Sequence, residues 1–251
     1  MLAGKGGGLV GLFKKPVLRL VGDRGVLIEY GDAIDPEINR RVRIMAAALK
    51  EAPREDRLAG VEEVIPTYRS LLINYDPLTT DPGRIKRGLE NLETRLGSIV
   101  IPEPEKVEIP VCYGGELGPD LEFVARHTGL ETEEIIRRHS APLYQIYMIG
   151  FTPGFPFLGG MDESLTTPRL STPRTLVPAG SVGIANNQTG MYPIDSPGGW
   201  QLIGRTPLRL FRPEKENPFL YRAGDLIEYN PISRPEFDRL AALAGAVAKG
   251  D

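Results

Sequence analysis

The stretch from residue 150 to 206 holds 10 glycines and 7 prolines among its 57 residues, and this density constrains the fold more than any other feature. Proline removes a backbone donor and glycine weakens a helix interior, so a long helix does not fit here. Short strands joined by shaped loops remain. We therefore predict a β-barrel or closed β-structure over residues 106–231.

The chain before this domain has the pattern of a small α+β layer. Four strand-like runs cover Val17–Val21, Val26–Tyr30, Val61–Ile65 and Leu71–Tyr75. Apolar residues at helical spacing follow Asp35 and Asp81, each of which suits a helix N-cap. The order ββαββα predicts a ferredoxin-like or closely related domain over residues 16–105, ending in a proline-containing linker. A terminal helix is predicted within residues 232–251.

Charge and cysteine content exclude several classes of protein. The chain has 30 Lys and Arg against 33 Asp and Glu, and no basic run that would track a phosphate backbone, so nucleic acid is not an expected partner. The single cysteine, Cys112, allows no internal disulfide and fits a buried strand in a reducing, cytoplasmic compartment. No 18-residue apolar run predicts a membrane span.

The chain has two histidines, His127 and His139, each at the end of a predicted short helix. Together with Cys112 they do not make a dedicated zinc site, so no metal is expected. A histidine at a helix end commonly serves as a partner of the helix dipole, which is the structural interpretation of both. His139 is also a candidate catalytic residue, because the strand after it, Leu143–Ile149, leads into the glycine- and proline-rich loop.

That loop alternates aromatic residues with glycine and proline, including Phe151, Pro153, Gly154 and Phe155. Rigid turns with apolar walls suit a small-molecule pocket, although a buried loop packed on a barrel end has the same composition. Both interpretations remain open at the level of the sequence.

Three arginines of the same stretch, Arg169, Arg174 and Arg205, are candidates for binding an anion. Guanidinium groups bind carboxylate or phosphate in a bidentate manner, while the alternative is surface arginines on loops. Trp200, the only tryptophan, is either a stacking platform or a barrel core residue. Ser181 lies in a string that lacks the first glycine of a nucleophile elbow, so it is not expected to be a covalent nucleophile.

At these residues the chain resembles a known family, which contains the B component of 5-oxoprolinase and an inhibitor of a sporulation histidine kinase and is also called allophanate hydrolase subunit 1. The resemblance covers about residues 16–215. The matching stretches are His139-Ser140, Tyr147, Gly150-Phe151, Pro153-Gly154-Phe155, Leu158-Gly159-Gly160, Pro168-Arg169, Pro173-Arg174, Val177 to Val182, Gln188-Thr189-Gly190, Tyr192-Pro193 and Ser196 to Trp200. Asn186-Asn187 departs from the pattern, where relatives more often have glycine.

The resemblance implies a cyclophilin-like β-barrel after the α+β domain. It also implies ligand-binding positions at Ser181, Gln188 and Tyr192, beside the loop residues, the arginines and Trp200. In the first function that it implies, this chain acts with 5-oxoprolinase subunits C and A to convert 5-oxoproline to glutamate, with ATP used by the assembled complex. ATP would activate the lactam by phosphorylating its oxygen, and this chain alone would be inactive.

Two alternative functions follow from the same resemblance. One is a regulatory protein that inhibits a histidine kinase by binding its helical dimerisation domain. The other is a carboxyltransferase-related component of a urea or allophanate system, which would receive biotin from a partner. A shared fold does not choose among these functions.

Overall fold

The computed structural model describes residues 11–51 and 58–247. The chain divides into two compact units, Met1–Glu103 and Pro104–Asp251. The sequence predicts the boundary at residue 105, close to this division.

The first unit contains four strands and two helices. They are β1 (Leu12–Val21), β2 (Gly25–Gly31), α1 (Pro36–Glu51), β3 (Val61–Pro66), β4 (Ser70–Tyr75) and α2 (Pro82–Glu93). The strands form one antiparallel sheet in the order β1-β2-β4-β3. The element order is the predicted ββαββα, but a ferredoxin-like domain is not confirmed, because that class runs β-α-β-β-α-β.

Both helices begin at the predicted caps and bury the predicted faces. The carboxylate of Asp35 accepts a hydrogen bond from the backbone N–H of Glu37 at 2.8 Å, and that of Asp81 accepts one from Arg84 at 3.0 Å. Residues at helical spacing then pack on the sheet as one core: Ile38, Val42 and Met45 from α1, and Ile85 and Leu89 from α2. Full burial of such a side chain stabilises the fold by about 1.5–3 kcal/mol.

The second unit contains the remaining elements. They are β5 (Lys106–Tyr113), α3 (Leu121–Thr128), α4 (Thr132–Ser140), β6 (Leu143–Ile149), β7 (Pro156–Gly159), β8 (Arg174–Val177), β9 (Ser181–Ala185), β10 (Gln188–Met191), β11 (Ser196–Gly198), β12 (Gln201–Arg205), β13 (Leu226–Pro231) and α5 (Arg234–Val247). The predicted terminal helix is therefore present as α5, and residues 248–251 lie outside the described part.

Seven strands of this unit form a nearly closed, barrel-like sheet. Their order is β10-β9-β12-β5-β13-β6-β7, and the two edge strands, β10 and β7, lie against each other. The pair β5 and β13 is parallel, and the other neighbours are antiparallel. Strands β8 and β11 form a separate two-stranded sheet. The predicted closed β-structure is thus present in its coarse form.

Alternate residues of the barrel strands face two different cores. The larger core contains residues such as Val111, Val182, Ile184, Met191 and Ile203. A smaller core contains Phe155, Val177, Ala185, Tyr192, Trp200 and Leu202. Successive side chains of a strand point to opposite faces, so the two cores lie on opposite sides of β9.

Candidate functional site

His139, the predicted catalytic residue, is fully buried at the end of α4. Its ring stacks on Tyr229 with centroids 4.7 Å apart. Nδ1 lies 2.8 Å from the hydroxyl of Tyr113, and Nε2 lies 2.8 Å from the hydroxyl of Thr189. Both ring nitrogens are therefore hydrogen-bonded inside the barrel core.

The partners of Thr189 determine which nitrogen of His139 carries the proton. The Thr189 hydroxyl donates its hydrogen to the carbonyl of Gly183 at 3.0 Å, so it accepts a hydrogen bond from Nε2–H of His139. Nδ1 then accepts the hydrogen of Tyr113. Burial lowers the pKa of His139 from 6.5 to about 3, which keeps the imidazole neutral at physiological pH.

Strand β10 separates His139 from the aromatic side chains of the loop. Thr189 faces His139, while the next residue, Gly190, faces Phe155 and Trp200, whose rings lie 3.0 and 3.2 Å from where its Cβ would be. Neighbouring residues of a strand point to opposite faces. The structure therefore does not bring His139 to the face that carries the other predicted site residues, and its catalytic role stays a prediction.

Phe155, Tyr192 and Trp200 form an aromatic group in the smaller core. The ring centroid of Phe155 lies 5.5 Å from that of Tyr192 and 5.5 Å from that of Trp200, both in edge-to-face geometry. All three side chains are buried, so they support the protein surface at this place and are not themselves exposed to solvent. Gln188 lies on the same face of β10 as Gly190, by alternation along the strand.

The turn that precedes Phe155 places one aromatic residue in solvent. Phe151 is 70% exposed and adopts a left-handed backbone with φ of 67°, which is unfavourable for a residue with a Cβ. A buried hydrogen bond fixes this turn: the Tyr221 hydroxyl donates to the carbonyl of Gly154 at 2.8 Å. Pro153 is exposed beside Phe151 at the tip.

Two of the three predicted arginines lie beside this aromatic group. The guanidinium carbon of Arg169 lies 6.0 Å from the Trp200 ring centroid, in cation–π range, and within residues 11–51 and 58–247 it has no acidic partner. Arg174 is occupied internally, donating to the Trp200 carbonyl at 3.2 Å and to Asp120 at 2.7 Å. We call Phe155, Arg169, Arg174, Tyr192 and Trp200 the aromatic–arginine cluster.

The third arginine, Arg205, lies elsewhere, at the other end of β12. It pairs in register with Ser181 of β9. Trp200 and Arg205 are five positions apart, and an extended chain rises about 3.3 Å per residue, so they are separated by roughly 16 Å. The structure therefore brings Arg169 and Arg174 together at Trp200, while Arg205 lies at the far end of β12, opposite Ser181.

Asp120 is a functional candidate that sequence reasoning missed. Its position before α3 suggests a helix cap, yet its side chain makes no capping bond. Instead its carboxylate accepts hydrogen bonds from Arg174 and from the backbone N–H of Leu202 at 2.6 Å. Tyr113 and Thr189, the partners of His139, were also missed. No pattern in the sequence indicates any of these contacts, which join residues 26 to 82 positions apart.

Two further properties concern the described part of the chain. Across its residues, no group of three or more His, Cys, Asp or Glu side chains is arranged to hold a metal ion. No helix in the same ranges is long and apolar enough to cross a membrane.

An α+β unit is followed by a barrel-like unit that carries a partly buried cluster of aromatic residues and arginines, and a family match over both units places the chain in a class of carboxyltransferase-related proteins. The chain belongs to the carboxyltransferase domain family, subdomain C and D, which it matches over residues 16–221.

Relatives with known names show which members of this class the chain is similar to. The chain is 44% identical over 227 residues to the B component of 5-oxoprolinase from Bacillus subtilis, covering 86% of this chain and 93% of that protein. It is 26% identical to urea amidolyase of Saccharomyces cerevisiae, covering 91% of this chain but 14% of that protein.

A solved structure shows the same fold within a longer polypeptide. The structure of TTHA0988 matches with a TM-score of 0.74 and 40% identity, over 84% of this chain. The chain spans only 41% of the length of that solved chain.

Proposed function

We propose that this chain is the B component of an ATP-dependent 5-oxoprolinase, which acts with subunits A and C to convert 5-oxoproline to glutamate. The observation that carries the proposal is the 44% identity to the Bacillus subtilis protein over nearly the full length of both chains. The urea amidolyase relative is more distant. We assign the barrel to the cyclophilin-like class, and we place the complex in the cytoplasm.

The chemistry of the substrate indicates what this chain has to supply. A lactam is a poor electrophile, and phosphorylation of its oxygen by ATP creates a group that water displaces. 5-Oxoproline also carries a carboxylate, for which a guanidinium is the best-suited side chain. Arg169 is the arginine of the cluster that is exposed and has no acidic partner in the described residues, so we assign it to the substrate carboxylate.

Arg174 has a different role in this proposal. Its guanidinium is fixed by Asp120 and by the Trp200 carbonyl, so it holds the cluster in place instead of meeting the substrate. Phe151 and Pro153, which are exposed at the turn, form the apolar edge of the same surface.

A partner chain completes the site. The sequence has no P-loop that would hold the phosphates of ATP. The TTHA0988 chain carries the equivalent fold within a polypeptide more than twice as long, which supports a tightly associated partner for this chain. Subunits C and A are the partners that we propose.

The alternative with a specific observation in its favour is a carboxyltransferase-related component of a urea system. The family name and the urea amidolyase relative support it. That function requires biotin on a partner, whereas the 5-oxoprolinase function requires ATP and no biotin. The kinase-inhibitor alternative has no structural observation that favours it.

The test is reconstitution with the partner subunits. We expect the full complex to hydrolyse ATP in response to 5-oxoproline, and this chain alone to show no such activity. Arg169→Ala should raise the KM for 5-oxoproline at least about 10-fold without lowering Tm, because a lost charged hydrogen bond changes affinity by that order. Arg126→Ala, an exposed arginine on α3, is the matched control.

Three results would contradict the proposal. They are biotin-dependent carboxyl transfer without ATP hydrolysis driven by 5-oxoproline, full turnover by the isolated chain, and an Arg169→Ala complex with an unchanged KM. The first would favour the urea alternative, the second would remove the need for a partner, and the third would remove Arg169 from the site.

A further inference from the structure

We propose that the barrel sheet carries a second oxyanion-binding site at the C-terminal end of β12, on the face turned away from the larger core, formed by Arg205 and Ser181. The ligand is a carboxylate or a phosphate group of a small molecule. Arg205 lies roughly 16 Å along the strand from Trp200. The carbonyl of Ser181 accepts the backbone N–H of Tyr192 at 2.9 Å, so the site borders the aromatic–arginine cluster on that side. The proposal does not depend on the 5-oxoprolinase assignment.

The register of three neighbouring strands places three side chains in one row across the sheet. Arg205 of β12 is directly opposite Ser181 of β9 on one side and Cys112 of β5 on the other. Directly opposed residues share a face, with Cβ atoms about 4.5–5.5 Å apart. Val182 and Val111, the sequence neighbours, point into the larger core, so the row lies on the opposite face of the sheet.

Two polar atoms of this row are buried without hydrogen-bond partners. They are Oγ of Ser181 and Nε of Arg205, both in the part of the chain that the structure describes. Ser181 is fully buried and Arg205 is half-buried. A buried polar group left unpaired is costly, and most such groups in native folds have a hydrogen-bond partner.

Arg205 also lacks a close ionic partner. Among the residues described, it forms no ion pair within 4.0 Å, and burial lowers its pKa, which means that the site disfavours the bare charge. Asp195 attracts it from beyond ion-pair distance, and a hydrogen bond from the backbone N–H of Ala179 at 2.7 Å holds the Asp195 carboxylate there.

The other groups around Arg205 carry no free negative charge. Arg234 of α5 repels it and is itself paired with Asp238 at 3.0 Å and Glu116 at 3.5 Å. Burial raises the pKa of the Cys112 thiol, which keeps that side neutral.

The donor set defines the ligand class. A guanidinium and a serine hydroxyl both offer hydrogens, and an oxyanion accepts from both while neutralising the charge. A carboxylate and a phosphate group share this chemistry. Binding would satisfy Ser181 Oγ and Arg205 Nε together.

The experiment measures binding and stability of the full-length chain. Inorganic phosphate and 5-oxoproline are titrated separately by calorimetry and by thermal shift against the wild type, Arg205→Met, Ser181→Ala and Arg209→Met. Methionine keeps the apolar stem of Arg205 but removes the charge. Arg209→Met is the control, because Arg209 is paired with Glu214 at 2.8 Å on the surface.

We expect at least one probe to bind the wild type and raise its Tm. Arg205→Met should weaken that binding at least about 10-fold and Ser181→Ala about 3-fold or more, while Arg209→Met binds as wild type. Without ligand, the Tm of Arg205→Met and Ser181→Ala should be unchanged or higher, because each variant removes an unsatisfied buried group.

The choice of probe identifies the source of the oxyanion. Binding of 5-oxoproline alone indicates a carboxylate site, and binding of phosphate alone indicates a phosphoryl site. The proposal is overturned if neither probe binds the wild type, if Arg205→Met binds normally, or if Arg205→Met lowers the Tm of the unliganded chain. The last result would mean that Arg205 supports the fold.

Discussion

The hydroxyl of Tyr113 lies 2.8 Å from Nδ1 of His139, deep in the barrel core. With the Nε2 contact to Thr189 and the onward bond to Gly183, it completes a chain of hydrogen bonds in which every hydrogen has one acceptor. The backbone carbonyl of His139 also accepts the hydroxyl of Tyr144 at 2.7 Å. This geometry favours a role for His139 in joining α4 to strands β5, β6 and β10.

Replacing His139 should therefore destabilise the fold. His139→Ala leaves a cavity and removes the partners of Tyr113 and Thr189, so we expect the free energy of unfolding to fall by about 3–5 kcal/mol. Urea denaturation measures this change. His127→Ala is the control, since His127 is exposed on α3, and its unfolding midpoint should be unchanged.

The predicted catalytic role of His139 is tested separately by His139→Gln in the assembled complex. A proton carrier would lose about 10² or more in kcat with folding intact. Normal turnover after correction for folded protein would exclude that role.

Stability should also depend on pH through His139. Its pKa is about 3 when folded and 6.5 when exposed, so between these values the unfolded chain binds a proton that the folded chain does not. Stability is therefore fully present above pH 6.5 and falls as the pH drops towards 3, by up to about 1.4 kcal/mol per pH unit. Urea denaturation of wild type and His139→Gln at about pH 7.5, 6 and 5, which span the upper part of this window, measures it. An equal slope in both proteins would refute this assignment.

Asp120 should be more important for stability than an exposed acid. Asp120→Ala removes the partner of Arg174 and leaves the N–H of Leu202 without its carboxylate acceptor, so we expect a loss of about 2–3 kcal/mol in unfolding free energy. Glu236→Ala, which breaks an exposed pair with Arg239, should leave the denaturation midpoint unchanged. Similar midpoints for the two variants would count against an anchoring role of Asp120.

The left-handed backbone of Phe151 should lower the stability of the fold, while its exposed ring should contribute to turnover. Phe151→Gly relieves the left-handed backbone and loses little burial, so unfolding free energy should stay the same or rise by about 1 kcal/mol. Phe151→Ala keeps the strain and removes the ring. We expect both variants to lose turnover in the assembled complex, because both remove the exposed ring from the proposed substrate surface. Full activity in both would show that the ring has no such role.

Local patterns in the sequence were enough for many of the helices and strands outside the 150–206 stretch. The helices after Asp35 and Asp81, the strand around Cys112 and the helix α5 all depend on caps and on spacing over short segments, which are visible in the sequence. The family was also recognisable, because the 150–206 stretch preserves its order of glycine, proline, aromatic and arginine residues.

The arrangement of the site depended on tertiary structure. In the sequence, Arg169, Arg174 and Arg205 lie in one loop-rich stretch. The direction in which each side chain points depends on strand register and on partners that are distant in sequence, such as Asp120. Likewise, one position along β10 separates Thr189, which faces His139, from Gly190, which faces Trp200. Sequence by itself determined the family and the regularly spaced helices and strands, because these follow from local spacing and composition. Only the folded chain decided which side chains meet, since strand pairing joins residues that are far apart in sequence.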